Sequence, residues 1–484
     1  MNIFSRVILY GILCVMPFFV KNKYFDMSVA KSRFFNVFLI AVFVSLILAI
    51  PLYYIVGKSK EKHVGIRICR QEIAAVFFAG IVLISMLLSA DPVASLWGTK
   101  GWKVGGFTLL GVISIYFFLS RNLEVKDNIW YAVAFANIAI FLFTILHSMK
   151  VDIFGLHKGI NPQQYFDYMS TIGQKNWLSG YLSLIYIFFV GKFIISSKKF
   201  EIVLYGVVVA FGTMNVVLSG SDGTYIAIAL CAAFAIPFVM KNKNNLSRFM
   251  PILIYFGCSL MLVDLLPVFR DKALAMGDGI PGMLLNRMIY LPLLAVAIGF
   301  FVFLRLYKKE LSGRFSLIST IILEILWGIS IALVVVNIIR EFSPEWGTGR
   351  GKIWIRGWNS FKEFSIKEKL LGVGPELLAP YFEKTMKVRL LVAHSEFLQY
   401  LMSTGILGVI SYCAIWVGVI AAYFKNRLWQ RNEVIYVLPL TAYLGQAFIN
   451  SPGVLNVCIL SIFFAVMRIE INKNKNRERR ERNK

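Results

Sequence analysis

His394 is the one histidine of a long polar stretch. It stands at the mouth of an apolar run, in Leu391-Val392-Ala393-His394-Ser395-Glu396-Phe397-Leu398-Gln399-Tyr400. A neutral imidazole placed there can take a proton from a hydroxyl nucleophile near a membrane surface. Upstream, Thr348-Gly349-Arg350 offers a guanidinium that can clamp a diphosphate in bidentate fashion, with Lys352 as a second cation. Between them lies Leu371-Gly372-Val373-Gly374-Pro375, a turn whose glycines permit close backbone approach or positive φ. Each feature also has an ordinary reading. A lone histidine more often caps a helix, an interfacial arginine more often snorkels to headgroups, and such turns are common. Their presence in order within one loop favours catalysis. Glu396 could orient the imidazole, but a spacing of two residues along a helix directs it to another face.

The elements that must hold these residues follow from composition. The chain has 484 residues, 58% of them hydrophobic, and a mean hydropathy of +0.69, too apolar for a soluble domain with a polar surface. About fourteen apolar runs recur, each long enough to cross a bilayer core as a helix. They include 4–20, 35–56, 104–120, 398–424 and 433–449. The expected fold is therefore an all-α, polytopic integral membrane protein of about fourteen transmembrane helices, with a large extracytoplasmic loop folded as helices. Residues 1–338 form the helical bundle, 339–424 the region with the readable chemistry, 425–471 the last two spans and 472–484 a basic tail. Lys21 and Lys23, and no small-residue cleavage site, follow the first run, so it is not a cleavable signal peptide. Within the large loop, Trp354, Trp358, Phe361 and Phe364 recur near helical spacing, which predicts an amphipathic helix lying aromatic side down on the membrane.

A net charge of +25 would suit a nucleic-acid partner, but its distribution argues against one. Basic residues fall in alternate short loops, as the positive-inside rule expects. Lys58, Lys60, Lys62, Arg67 and Arg70 form one cluster. Lys198 and Lys199, then Lys241, Lys243 and Arg248, then Arg305, Lys308, Lys309 and Arg314 form others of the same parity. An even span count with both termini cytoplasmic fits these clusters. Lys21, Lys23, Lys31 and Arg33 break the pattern. The six cysteines show no CxxC pair or metal-ligand spacing. Phosphate-binding nucleotide loops and internal repeats are likewise not recognisable.

The run from Thr348 to Gly408 resembles the shared domain of the O-antigen ligases, O-antigen polymerases and bacterial protein O-oligosaccharyltransferases. Its elements occur in order: Gly349-Arg350, Trp354, Gly372-Val373-Gly374-Pro375, Ala393-His394, Phe397-Leu398-Gln399 and Thr404-Gly405-Ile406-Leu407-Gly408. Asp91-Pro92 with Gly98 and Gly105, and Gly173 with Asn176, agree more loosely. The resemblance implies an inverting, metal-independent and cofactor-free glycan transfer at the outer face of the bacterial cytoplasmic membrane. The donor would be an undecaprenyl-diphosphate-linked glycan, with membrane lipid around it, and the acceptor a glycan, a lipid or a protein. His394 would activate the acceptor hydroxyl and Arg350 would bind the diphosphate.

Two residues depart from the pattern. Ser395 stands where the family usually has asparagine, and Asp222 stands where a Ser-Arg-Gly turn usually carries a phosphate-binding arginine. Either Arg270, Arg287 or Arg340 supplies the missing charge, or Asp222 contacts sugar hydroxyls or pairs with a basic residue. Asn176, Gly372 and Gly374 complete the candidate site. The rival reading is a transporter or flippase for lipid-linked sugars, which should show charges within the spans or broken helices. Asp264 and Glu324 are among the few such charges.

Overall fold

The computed structural model describes residues 2–56, 69–99, 101–277, 279–307, 309–386 and 390–482. Lys58, Lys60, Lys62 and Arg67, assigned above to one basic loop, lie outside the described residues. Helix dominates, and the described strands are two short segments, Tyr168–Met169 paired antiparallel with Gly173–Gln174.

Eleven described helices are long and apolar enough to cross a membrane, against the expected fourteen. Three apolar runs give shorter elements for identifiable reasons. The first passes from α-helix through a π turn at Gly11–Val15 into a 3-10 turn at Met16–Phe18, where Pro17 removes a backbone donor. Gly106–Asn122 is 17 residues long. Leu438–Ala447 has only ten, because the 3-10 turn Asn432–Tyr436 precedes it and Ser451-Pro452-Gly453 follows.

The Lys175–Ile195 helix forms the axis of the bundle, with 89% of its span buried, and the Val454–Lys475 span lies beside it. Trp130, Phe188 and Phe463 stack between them and their neighbours. Lipid tails are as apolar as leucine, so close packing and internal hydrogen bonds must hold such helices together. Gly212 admits the Tyr186 ring, whose hydroxyl meets Thr213 at 3.0 Å, and Tyr181 donates to Asn137 Oδ1 at 2.7 Å. The Gly313–Glu341 helix is the opposite case, with none of its span buried. It is tied to the bundle by Trp327 Nε1, which donates to Ala229 O.

Loops alternate between two ends of this bundle. At one end lie Lys192 with Asp127, Lys198 with Glu201, Arg121 and Arg468 with Glu72, and Lys243 with the Tyr307 carbonyl. These are the basic loops of shared parity. The other end gathers 88–105, 149–174, 219–221, 266–286, 342–395 and 448–453, joined by the contacts described below. The segment that broke the charge pattern also lies at this second end. Lys23 donates to the Lys158 carbonyl, and Lys31 to the carbonyls of Met16 and Pro17. Both lysines satisfy backbone oxygens there.

Candidate functional site

Segment 342–395 carries the helices Trp346–Glu363, Ile366–Leu371 and Ala379–Met386. The aromatic face of the first is divided. Phe361 and Phe364 are buried against Val373, Leu378, Phe382, Ala393 and Met402, a small core shared by the segment and the helix that follows it, while Trp358 stays exposed. Trp354 turns to the functional end, packing on Trp346 and donating through Nε1 to the His394 carbonyl at 3.3 Å.

The glycines of the two signature turns have a packing role. Gly372 and Gly405 both have positive φ, and a Cβ on either would collide with the backbone of the opposite turn, at Ser403–Thr404 or Leu370–Leu371. Gly374 N–H donates to Ser403 O, and Val373 N–H to Met402 O. The Glu396–Lys425 helix breaks at Gly405 to receive this contact. Gly372 and Gly374 therefore set the height of the loop on the bundle.

Glu376, which the sequence reading passed over, locks the turn to the 88–105 hairpin. Its buried carboxylate accepts from Thr99 N–H and Oγ1, Lys103 N–H and Val104 N–H. Burial pushes this carboxyl up and the donors pull it partly back. The same hairpin carries Trp102, which sequence reasoning also missed. Its ring meets both Trp177 and His394 edge to face, at 5.5 and 6.2 Å.

His394 itself has φ +49°, a left-handed backbone just before the Glu396–Lys425 helix begins. Ser395 caps that helix and Gln399 Oε1 accepts from Ala393 N–H, so the residues on either side are fixed. The imidazole has no hydrogen-bond partner among the described residues. Burial, then the Arg350 charge, push its pKa down to about 4, so the ring is neutral at pH 7 and free to accept a proton. Glu396 does not orient it: that carboxylate accepts from Tyr412 and Tyr443 inside the bundle.

Arg350 follows a left-handed kink at Gly347–Gly349. Its guanidinium donates to the carbonyls of Ile449 and Gly347, each at 3.0 Å, and to Asn450 Oδ1 at 3.3 Å. Three of five N–H donors are thus held by neutral oxygens, which leaves two for a ligand. No carboxylate lies within ion-pair distance of it among the described residues. Burial lowers its basicity and Asp222 opposes that shift from further away. This is a positioned cation, not one that snorkels.

Around the 219–223 turn, Asp222 Oδ1 accepts from Ile280 N–H at 2.9 Å, and Ser221 Oγ donates to Asn176 Oδ1 at 3.1 Å. Gly223 has no room for a side chain against Asn450. Arg350, Asn450, Asp222 and Asn176 therefore meet here. Of the three arginines considered for the missing charge, Arg287 is spent on Asp264 at 2.6 Å, and Arg270 and Arg340 are exposed. Lys352 is exposed as well. Besides Arg350, a second cation reaches this turn, Lys272, whose Nζ lies 3.2 Å from where a Cβ on Gly220 would stand.

His147, Asp152 and His157 bring ligand atoms within 4.8 Å of one another. Ser170 N–H donates to His147 Nδ1, so the proton of the neutral ring sits on Nε2, the atom facing Asp152. A metal would have to displace that proton. The group is better suited to latch the 149–174 segment, with Tyr24 donating to the Ser170 carbonyl, than to hold an ion.

No curated protein matches the chain. A family model described as O-antigen ligase matches residues 283–413, which include Arg350, both glycine turns and His394. The match, over about a quarter of the chain, supports the resemblance to the O-antigen ligase superfamily and a membrane glycan-transfer role of the ligase or polymerase type.

Proposed function

We propose that the protein transfers or polymerises glycan from an undecaprenyl-diphosphate-linked donor onto an acceptor hydroxyl at the outer face of the bacterial cytoplasmic membrane, with both termini on the cytoplasmic side. The observation that carries this reading is the pairing of an unbonded neutral imidazole with a guanidinium that has no carboxylate partner, both inside the family-matched region. The donor tail lies in lipid and its diphosphate meets the two free N–H groups of Arg350. The acceptor oxygen attacks the anomeric carbon from the face opposite the diphosphate, giving inversion. Its proton passes to His394 as the carbon–oxygen bond forms. The anomeric carbon–oxygen bond to phosphate breaks, and the lipid diphosphate leaves with the electron pair. Protein cations stabilise the departing charge, so the reading calls for no metal.

The same geometry links binding to basicity. The Arg350 charge helps hold the free imidazole near a pKa of about 4. A bound diphosphate neutralises that charge and raises the basicity of His394 when the donor is in place. A transporter would use neither the base nor its coupling to the cation. Cells lacking the protein should accumulate the lipid-linked repeat unit, and wild-type protein but not His394→Ala should clear it. Clearance by both would remove the assigned base.

A further inference from the structure

The 266–286 segment holds a buried cation that the catalytic reading leaves unused. Lys272 is 2% exposed. Among the described residues its ammonium has no hydrogen bond and no carboxylate within ion-pair distance, only the Phe166 ring at 5.3 Å. A buried ammonium is costly unless an anion or hydrogen bonds compensate it. The neighbouring cation, Lys175, already has its own partner in Asp167 at 2.7 Å. On the same segment Asp271 is taken by Lys150.

What faces Lys272 is the start of the Asp222–Val239 helix. Its Nζ touches the turn at Gly220, whose positive φ of 60° and lack of a side chain let the two approach. Ser221 stands at the N-cap but turns its hydroxyl to Asn176 instead of capping the helix. The first turn of that helix thus keeps its positive end uncapped by its own N-cap side chain. Ser179 Oγ, buried beside Gly223, has no partner either. Asp222 Oδ1 is directed to Ile280 N–H. On the Gly223 side the turn touches Asn450, which Arg350 grips. A buried ammonium, an uncapped helix start and a spare hydroxyl therefore adjoin the Arg350 cluster across one five-residue turn.

We propose that Lys272 and the N-terminus of the Asp222–Val239 helix bind one phosphate of the donor diphosphate while Arg350 binds the other. This rests on the donor reading above and adds a diphosphate-binding residue outside the family-matched region. Burial, then the Lys175 charge, push the Lys272 pKa down to about 7, with Asp167 opposing. Binding a phosphate restores the ammonium and takes up a proton, so wild-type affinity falls as pH rises above about 7.

The test uses the full-length protein in lipid nanodiscs, with farnesyl diphosphate, farnesyl monophosphate and inorganic pyrophosphate as probes, measured by calorimetry between pH 6 and 9. Lys272→Met should weaken farnesyl diphosphate binding about 10- to 100-fold, the loss of one charge-assisted hydrogen bond. It should leave the monophosphate affected far less. Lys272→Arg should restore affinity to within a few-fold and abolish the decline above pH 7. A Lys272→Met protein that melts lower but binds the diphosphate like wild type would show a purely structural lysine and overturn the assignment. If Arg350→Ala still weakens binding in that case, the donor reading survives alone. Inorganic pyrophosphate binding more tightly than farnesyl diphosphate would overturn the lipid donor as occupant. Failure of the wild type to bind any diphosphate would overturn both readings.

Discussion

The two ends of the bundle treat positive charge differently. At the end holding Asp127 and Glu72, the buried Lys192 is 3.2 Å from Asp127, and Arg121 and Arg468 share Glu72, while Lys241 and Lys243 meet backbone carbonyls. At the opposite end, exposed Lys150 and Arg287 and half-buried Lys175 are paired in the same way, but half-buried Arg350 and buried Lys272 have no carboxylate partner among the described residues. A compensated charge can orient a membrane protein without doing chemistry. A desolvated cation held by neutral oxygens or by nothing costs stability, and an anionic ligand is the means of recovering it.

Removing Arg350 breaks this contrast most severely. Arg350→Ala should lower donor turnover by about 10²- to 10³-fold, because the charge that stabilises the leaving diphosphate is lost. Arg350→Lys should recover only part of it, since an ammonium lacks the planar fork. Normal turnover by Arg350→Ala in a vesicle assay would show that the unpaired charge is structural.

Glu376→Ala tests whether the site end is held as a unit. It strands one buried and three part-buried donors, so thermal unfolding should show a loss of roughly 3 kcal/mol and lower expression. A variant that unfolds like wild type would mean the hairpin and the signature turn are not coupled through this carboxylate.

The acid limb of activity comes next. His394 must be neutral to accept a proton, and burial together with Arg350 holds its pKa near 4, so donor-free enzyme should stay competent well below pH 6. Because this folded pKa lies below that of an unfolded histidine, the unfolded chain binds more protons between about 4 and 6.5. Stability should therefore fall as pH falls through that window. Replacing Arg350 with Gln should move the acid limb upward. An unchanged limb would show that the two side chains do not sense each other.

The smallest effect is expected at the paired end. Asp127→Asn leaves Lys192 buried without its carboxylate and should cost stability by about 1 kcal/mol, softened by the exposure of Asp127. Glycan transfer per folded molecule should not change. A large fall in transfer would mean this end also takes part in turnover.

Much of this contrast was legible in the sequence. Arg350 and His394 sit among ordered motifs, and the parity of the basic loops separates the two ends before any coordinates. The glycine turns were legible as turns but not in purpose, because the Gly372–Gly405 backbone contact joins segments whose meeting only the fold decides. Lys272 carried no signal: it lies between Asp271 and Ala273 in a short polar segment, and its burial depends on the neighbouring 219–223 turn and the Phe166 ring. Glu376 did carry one, a carboxylate directly after a rigid Gly-Val-Gly-Pro turn. Pro17 and Pro452 interrupt apolar runs that look continuous by hydropathy, so the described helices long enough to span number eleven where the runs suggest about fourteen.

The central claim, that His394 is the base for transfer, is tested most directly by single-turnover transfer in nanodiscs. Purified wild type and His394→Gln would each be loaded with a polyprenyl-diphosphate-linked glycan and given the native acceptor. The account predicts unchanged donor affinity for His394→Gln, with a transfer rate lower by about 10²- to 10⁴-fold. Transfer at the wild-type rate, with donor bound equally well, would contradict it.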